Sequence, residues 1–311
     1  MNTIKYRAML IKKGSVKFLN KNVVLITGCS SGFGKSLVAL FLKNGWAVIA
    51  SFRNSEKRMG LFAEEIKSHG DSMAILPLDV TQERDRENTF SFIKDRYGRL
   101  DCLVNNAGYG LFGSLEDASE KEFRDQVEVN LFGSAFLTKR LLPLLREAKG
   151  KALFVSSTFG FTGFSLSSAY CSSKFAIEGL AESLYYELRP HKVQVGIIEP
   201  GGFRTRFGQN TKWGSLSHDL KSPYYLQSEN YKLFKQALGS RKGNDPAKVA
   251  KLIVKIAKQE KIRLRYRAGS DATSTYFLRK LLPETVFNAL WNGICRNIFL
   301  REIKPRPGNY E

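Results

Sequence analysis

The sequence is poor in the residues that build covalent or metal staples, with 4 cysteines and 3 histidines in 311 residues. Cys29, Cys102, Cys171 and Cys295 are scattered without metal-ligand spacing. That argues against a disulfide framework and fits a reducing compartment. The first three fall in or beside expected strands and helices, where a free thiol behaves as a small hydrophobe. His69, His191 and His218 sit at expected helix ends or loops and read as structural or surface residues, so no metal is expected. No apolar run reaches the roughly 18 residues that a spanning helix needs. The apolar stretch inside the basic opening MNTIKYRAMLIKKGSVKF is too short for a signal-peptide core. The expected location is therefore the cytoplasm. Internal repeats and low-complexity tracts are also missing.

Acidic residues are scarce as well: 29 Asp and Glu stand against 49 Lys and Arg, for a net charge of +20. The excess is strongest near the two ends, where the first 22 residues hold six basic side chains and no acid, and residues 261–267 read KIRLRYR. Such a charge suits an anionic partner, whether a phosphate-rich cofactor, a membrane surface or nucleic acid. It equally describes a lysine-rich solvated surface. No recognisable nucleic-acid reading module accompanies it, so no nucleic-acid partner is expected. The basic ends leave peripheral contact with a membrane as an open reading.

What is abundant is a regular alternation. Short apolar runs at 23–27, 46–52, 73–80, 100–108, 152–157, 193–201 and near 263–268 read as buried strands. Between them lie helical segments: one from the glycine turn to Lys43, a surface helix at 55–69, and a charged helix ending near Tyr97. A long helix over 119–147 is expected to bend near Pro143, and another covers 169–189. DPAKVAKLIVKIAKQ at 245–259 has aspartate at its start and proline in its first turn, which are helix-opening signals. Continuously apolar strands separated by helices specify an α/β fold, a doubly wound parallel sheet with helices on both faces. The division expected is a basic extension at 1–21, a catalytic domain at 22–270 and a C-terminal helical extension at 271–311. Within the domain, 202–245 reads as a substrate-covering loop with a short helix or two.

Ligands of such sheets bind beyond the carboxyl ends of the strands, and the chemistry-bearing residues all fall there. TGCSSGFG at 27–34 follows the first strand and opens a helix. Thr27, Gly28, Ser30, Ser31, Gly32, Phe33 and Gly34 would cradle a pyrophosphate, since glycines allow close backbone approach and a helix N-terminus favours anions. The second strand ends in Ser51, Phe52 and Arg53, without the acid that usually holds the ribose of NAD. Arg53 paired with a 2′-phosphate, helped by Ser51, points to NADP(H). An ordinary surface arginine is the alternative. Asp79, with Val80 after the third strand, suits an adenine amino group or a helix cap.

Ser157, Tyr170 and Lys174 carry the reaction chemistry. Tyrosine and lysine four residues apart share one helix face. An adjacent ammonium favours the ionised phenol, as proton transfer near neutral pH requires. Two hydroxyls can stabilise an oxyanion that develops as hydride reaches a carbonyl carbon.

Taken with NNAG at 105–108, Asn130 in VNLFG and PG at 200–201, these motifs resemble the short-chain dehydrogenase/reductase family over roughly 22–270. The resemblance implies a Rossmann-type fold, NADP(H) as cofactor, and interconversion of a carbonyl and an alcohol. It implies Tyr170 as general acid/base, Lys174 as ribose ligand and modulator of Tyr170, and Ser157 as substrate-orienting residue. Asn130 would support a water-linked proton path. Asn106, Ala107, Gly108, Pro200, Gly201 and Thr205 would line the cofactor, and a homodimer or homotetramer is expected. The tail, including TSTYFLRKLLPETVFNALWNGI, looks similar to hydroxysteroid- and retinol-type members. Phe203, Phe207, Trp213, Tyr224 and Tyr225 would then wall a small hydrophobic carbonyl or alcohol substrate, unless they only pack the lid onto the core. A non-catalytic NADP(H)-binding protein on the same fold is the alternative, opposed by the intact Asn130, Ser157, Tyr170 and Lys174.

Overall fold

The computed structural model describes residues 21–203, 211–240 and 245–300. Thr205, Phe207 and the basic residues 1–20 therefore lie outside the described residues. The strands are β1 (Val23–Thr27), β2 (Ala47–Phe52), β3 (Met73–Pro77), β4 (Cys102–Asn105), β5 (Leu111–Phe112), β6 (Lys151–Val155), β7 (Gln194–Pro200), β8 (Lys212–Trp213) and β9 (Arg265–Ala268). The helices are α1 (Gly32–Lys43), α2 (Ala63–His69), α3 (Glu83–Tyr97), α4 (Glu120–Val127), α5 (Gly133–Ala148), α6 (Ser168–Leu188), α7 (Tyr225–Ser240), α8 (Pro246–Lys258), α9 (Ser270–Leu281) and α10 (Glu284–Phe299).

Seven strands form one sheet in the order β3-β2-β1-β4-β6-β7-β9, and every pairing is parallel. The two faces of β1 explain the layers. Val24 and Ile26 point toward Leu37, Val38 and Phe41 of α1 and toward Val249, Ala250 and Ile253 of α8. Val23 and Leu25 point the other way, to Ile93 of α3, Leu137 and Leu141 of α5, and Ile177 and Ala181 of α6. Side chains alternate between faces along a strand, so a strand with helices on both sides must be apolar throughout. The order reverses between β1 and β4, which opens a crevice at their carboxyl ends. Thr27, Ser51, Asn105, Ser157 and Pro200 all lie on that edge or just beyond it.

Three local expectations are corrected. The break in the 119–147 helix is a π turn at Glu128–Phe132, whereas Pro143 lies inside α5. A π turn widens the hydrogen-bond ladder by one residue, and such turns favour functional positions; this one carries Asn130. Residues 55–62 form a 3-10 segment, and only 63–69 are α-helical. The described residues within 202–245 hold more regular structure than a loop with a short helix or two: Lys212 and Trp213 pair with Leu111 and Phe112, and α7 runs for 16 residues.

The C-terminal helices close over the same edge. Trp291 Nε1 of α10 donates to the Gly163 carbonyl at 2.7 Å, and Asn230 Nδ2 of α7 donates to the Phe299 carbonyl at 2.9 Å. Among the described residues, no helix is long and apolar enough to cross a membrane.

Candidate functional site

The glycine turn after β1 is locked to the loop after β4. Thr27 Oγ1, buried, accepts from the Asn106 and Ala107 amides at 3.0 and 2.9 Å and donates to the Val104 carbonyl at 3.3 Å. Asn106 Nδ2 returns a bond to the Thr27 carbonyl at 2.7 Å. Gly28 has φ +72, and a Cβ there would meet Ala107 Cα at 2.9 Å. A Cβ on Gly34 would meet Asn106 Nδ2 at 2.8 Å. The two loops thus approach at backbone contact, a geometry only glycine permits. Ser31 N-caps α1 in extended conformation without a side-chain cap bond, and no acid stands in the first turn. The N-terminal amides of α1 therefore face the crevice without a competing acidic side chain. These features fit a dinucleotide pyrophosphate.

The other predicted cofactor residues divide. Phe33 packs edge-on against Phe203, with ring centres 5.7 Å apart, at the mouth of the crevice. That places Phe203 beside the glycine turn and away from the aromatic wall it was expected to join. Asp79 Oδ1 accepts from the amide and hydroxyl of Thr81 at 3.1 and 2.8 Å, building the turn into α3. Val80 is buried against Gly133. A Cβ on Gly108 would meet Asn130 Oδ1 at 2.9 Å. The Pro200 carbonyl accepts from Thr158 Oγ1 at 3.2 Å, and the Gly201 amide donates to the Ala268 carbonyl at 2.9 Å. Ser30 is half-buried in the glycine turn. Arg53 is exposed at the end of β2, and its charge reaches the Tyr109 phenol across the crevice. Ser51 is a correction: fully buried, it spends its hydroxyl on the Ile26 carbonyl at 3.0 Å. That bond braces β1 against β2.

Ser157, Tyr170 and Lys174 are brought together. Ser157 follows β6, and its Oγ accepts from the Phe159 amide at 3.2 Å. The Ser157 side chain hydrogen-bonds the Tyr170 phenol. Lys174 Nζ, one helical turn beyond Tyr170, lies 5.7 Å from the Tyr170 ring centre and donates to the Val155 carbonyl at 2.8 Å.

The electrostatics correct one expectation. Burial pushes the Tyr170 phenol above its ordinary value, with the Ser157 hydrogen bond opposing it. Burial likewise pushes Lys174 down to about 8, while Glu178 one turn further on acts to raise it. Desolvation thus outweighs the stabilisation of tyrosinate by the ammonium, because both groups sit under the same apolar cover. Asn130 adds a scaffold. Its Oδ1 accepts from the Tyr109 amide at 3.1 Å, and its Nδ2 donates to the Tyr109 carbonyl and Ser173 Oγ, each at 3.0 Å.

The cover is aromatic. Phe112 and Phe159 stand 5.5 and 6.0 Å from the Tyr170 ring, centre to centre. Trp213 lies 6.3 Å from Phe112, and Tyr231 lies 5.6 Å from it. Phe164 and Phe299 extend the group, and Tyr224 packs at its edge. Of the expected wall, Trp213 and Tyr224 belong here. Sequence reading missed Phe112, Phe159, Phe164, Tyr231, Phe299 and the half-buried Lys235. The available signal was FGFTGF before Tyr170, and Tyr231 followed four residues later by Lys235, a repeat of the Tyr170–Lys174 spacing.

Residues 22–214 match the family model described as short chain dehydrogenase. The chain belongs to the short-chain dehydrogenase family. It is 38% identical over 283 residues to the uncharacterized oxidoreductase YusZ of Bacillus subtilis, covering 88% of this chain and 98% of that one. Retinol dehydrogenase 7 of Rattus norvegicus is 32% identical over 294 residues, covering 90% and 91% of the two chains. A short-chain dehydrogenase structure from Streptomyces avermitilis superposes with a TM-score of 0.73 at 33% identity, covering 89% of this chain and 99% of that one. The seven-stranded parallel sheet flanked by helices is the short-chain dehydrogenase fold, and the protein is an oxidoreductase of that family.

The Thr27 clamp makes a prediction about this short-chain dehydrogenase. Thr27→Val keeps the shape but leaves two loop amides without their acceptor, a loss of about 1–3 kcal/mol. Urea unfolding should show that drop with an unchanged m-value, and an unaltered midpoint would contradict the clamp.

Proposed function

We propose that the protein is an NADP(H)-dependent oxidoreductase that interconverts a carbonyl and an alcohol on a hydrophobic, lipid-like substrate. The observation that carries this reading is the contact of the Ser157 and Tyr170 hydroxyls on the sheet edge that also holds the glycine crevice, with Lys174 one turn away. The nicotinamide, when bound, supplies or accepts the hydride. In reduction, negative charge grows on the substrate oxygen, and the two hydroxyls donate hydrogen bonds to it. Tyr170 then releases its proton to that oxygen, and the Ser157 hydroxyl and the charge of Lys174 hold the resulting tyrosinate. In oxidation Tyr170 takes the alcohol proton. The raised pKa of Tyr170 keeps the phenol protonated through the neutral range, which favours reduction. Asn130 acts as a positioning residue, because its side chain joins the Tyr109 loop to Ser173 on the catalytic helix.

Two observations support the finer points. NADP over NAD rests on Arg53 at the end of β2, where no acid is present to hold a ribose hydroxyl. The hydrophobic substrate rests on the aromatic cover of Tyr170 and on the likeness to a relative named for retinol, a long apolar alcohol. A homodimer or homotetramer is part of the proposal. Phe132 and Phe136, stacked at 5.8 Å, are exposed beside a cleft of about 840 Å³ along α4 that includes Phe132, Phe123 and Val127. Exposed Leu281, Val286, Leu290 and Ile294, near Arg279, Lys280 and Arg296, support peripheral contact of α9 and α10 with a membrane surface.

Tyr170→Phe should lower kcat for NADPH-driven reduction of apolar ketones or aldehydes by about 100-fold or more. Undiminished turnover would remove Tyr170 from the mechanism. The wild-type kcat/KM for reduction should stay level at neutral pH and decline as pH rises past about 8, where Lys174 loses its proton. Loss of rate toward acid pH instead would contradict that assignment. Arg53→Ala should weaken NADPH binding by about tenfold while leaving NADH within about twofold. Equal weakening of the two would refute the 2′-phosphate contact.

A further inference from the structure

Lys235 is a half-buried cation that the hydride-transfer site leaves without a task. It projects from α7 one turn after Tyr231, and its Nζ lies 3.2 Å from the centre of the Phe112 ring. The Tyr231 and Trp213 ring centres are 5.6 and 6.0 Å away. Phe112 in turn stands 5.5 Å from Tyr170, so one aromatic ring separates this ammonium from the catalytic phenol. Of its three N–H donors, one meets Thr211 Oγ1 at 3.2 Å. Among the described residues no carboxylate comes within ion-pair distance of it. Burial pushes its pKa down to about 7, and no neighbouring charge contributes to the shift.

Ring faces return part of what an ammonium loses on leaving water. They do not supply a counter-charge, and an apolar side chain would serve the packing of this wall better. A lysine here makes physical sense if the missing anion arrives with the ligand. The surroundings narrow its chemistry. One ammonium and one hydroxyl among aromatic rings match a monoanion on an otherwise apolar molecule. A phosphate would call for several donors, a backbone nest or an arginine fork, and the described wall holds none of these around Lys235.

We propose that Lys235 anchors a carboxylate of the substrate, so that the protein acts on oxo or hydroxy acids with an apolar body, of the fatty-acid class. This rests on the reading of Ser157, Tyr170 and Lys174 as the reacting centre and adds what holds the far end of the molecule. The carboxylate meets the ammonium and the Thr211 hydroxyl, the apolar body lies along Phe112, Trp213 and Tyr231, and the carbonyl reaches Tyr170. In that low-dielectric setting the pair gains more than it would in water.

The test uses octanoate and octanamide, alike in size and differing in charge, with binding read from tryptophan fluorescence through Trp213. Wild type should bind octanoate about tenfold or more tightly than octanamide. Lys235→Met and Lys235→Gln should both abolish that difference. Lys235→Met should melt no lower than wild type, since it replaces an uncompensated charge with an apolar chain. Equal binding of the two probes by wild type, or a preference that survives in both variants, would overturn the proposal. NADPH turnover is measured separately on oxo-octanoates and their amides. Absence of all turnover with the octanoate preference intact would sink the oxidoreductase reading and leave the carboxylate site standing. Equal turnover together with equal binding would do the reverse.

Discussion

The side chain of Asn130 holds the two halves of the site in register. Set in a π turn between α4 and α5, it grips the backbone of Tyr109 through both its amide and its carbonyl, and donates to Ser173 on α6. Ser173 Oγ in turn donates to the Tyr170 carbonyl at 2.8 Å. The loop that presses on the glycine turn and the helix that bears Tyr170 and Lys174 are thus tied to one buried amide. An Asn in this position satisfies three polar groups that would otherwise be costly to bury. It also explains why Gly108 is required, since any side chain there would strike Asn130 Oδ1. The π turn is the backbone adjustment that aims the amide inward.

Much of this was legible in the order of residues. Runs such as VVLIT, apolar on both faces, admit little besides a parallel sheet under two helical layers, and that sheet brings every motif to one edge. The glycines at 28 and 34 announced a close approach, and their partner proved to be the Ala107 backbone and the Asn106 side chain. Other features were not legible because they depend on contacts between distant segments. Pro143 looked like the place where the long helix would bend, yet a proline ring can be accommodated inside a helix, and the irregularity belongs to Asn130. Ser51 looked like a ligand contact, but strand alternation turns its hydroxyl inward to the Ile26 carbonyl. Trp213 and Tyr224 aside, the aromatic cover was not legible, because its members come from segments scattered between Phe112 and Phe299.

Burial has an opposite effect on Tyr170 and Lys174 from the one their proximity suggests. A lysine beside a tyrosine should lower the phenol's pKa, and in water it would. Under a lid of Phe112, Phe159 and Tyr231, desolvation disfavours both charges, raising Tyr170 and lowering Lys174. Burial thus keeps the phenol protonated through the neutral range, while Lys174, at about 8, still carries its proton there. The aromatic cover thus also raises the proton affinity of the Tyr170 phenol.

The central claim is that hydride moves at the edge where the glycine crevice meets Ser157 and Tyr170. It is tested most directly by turning over apolar ketones and aldehydes with NADPH deuterated at both C4 positions of the nicotinamide, and locating the label by mass spectrometry. The account predicts an alcohol that carries one deuterium on its carbinol carbon. An alcohol formed without label, or no alcohol from any carbonyl compound in a broad panel, would contradict it.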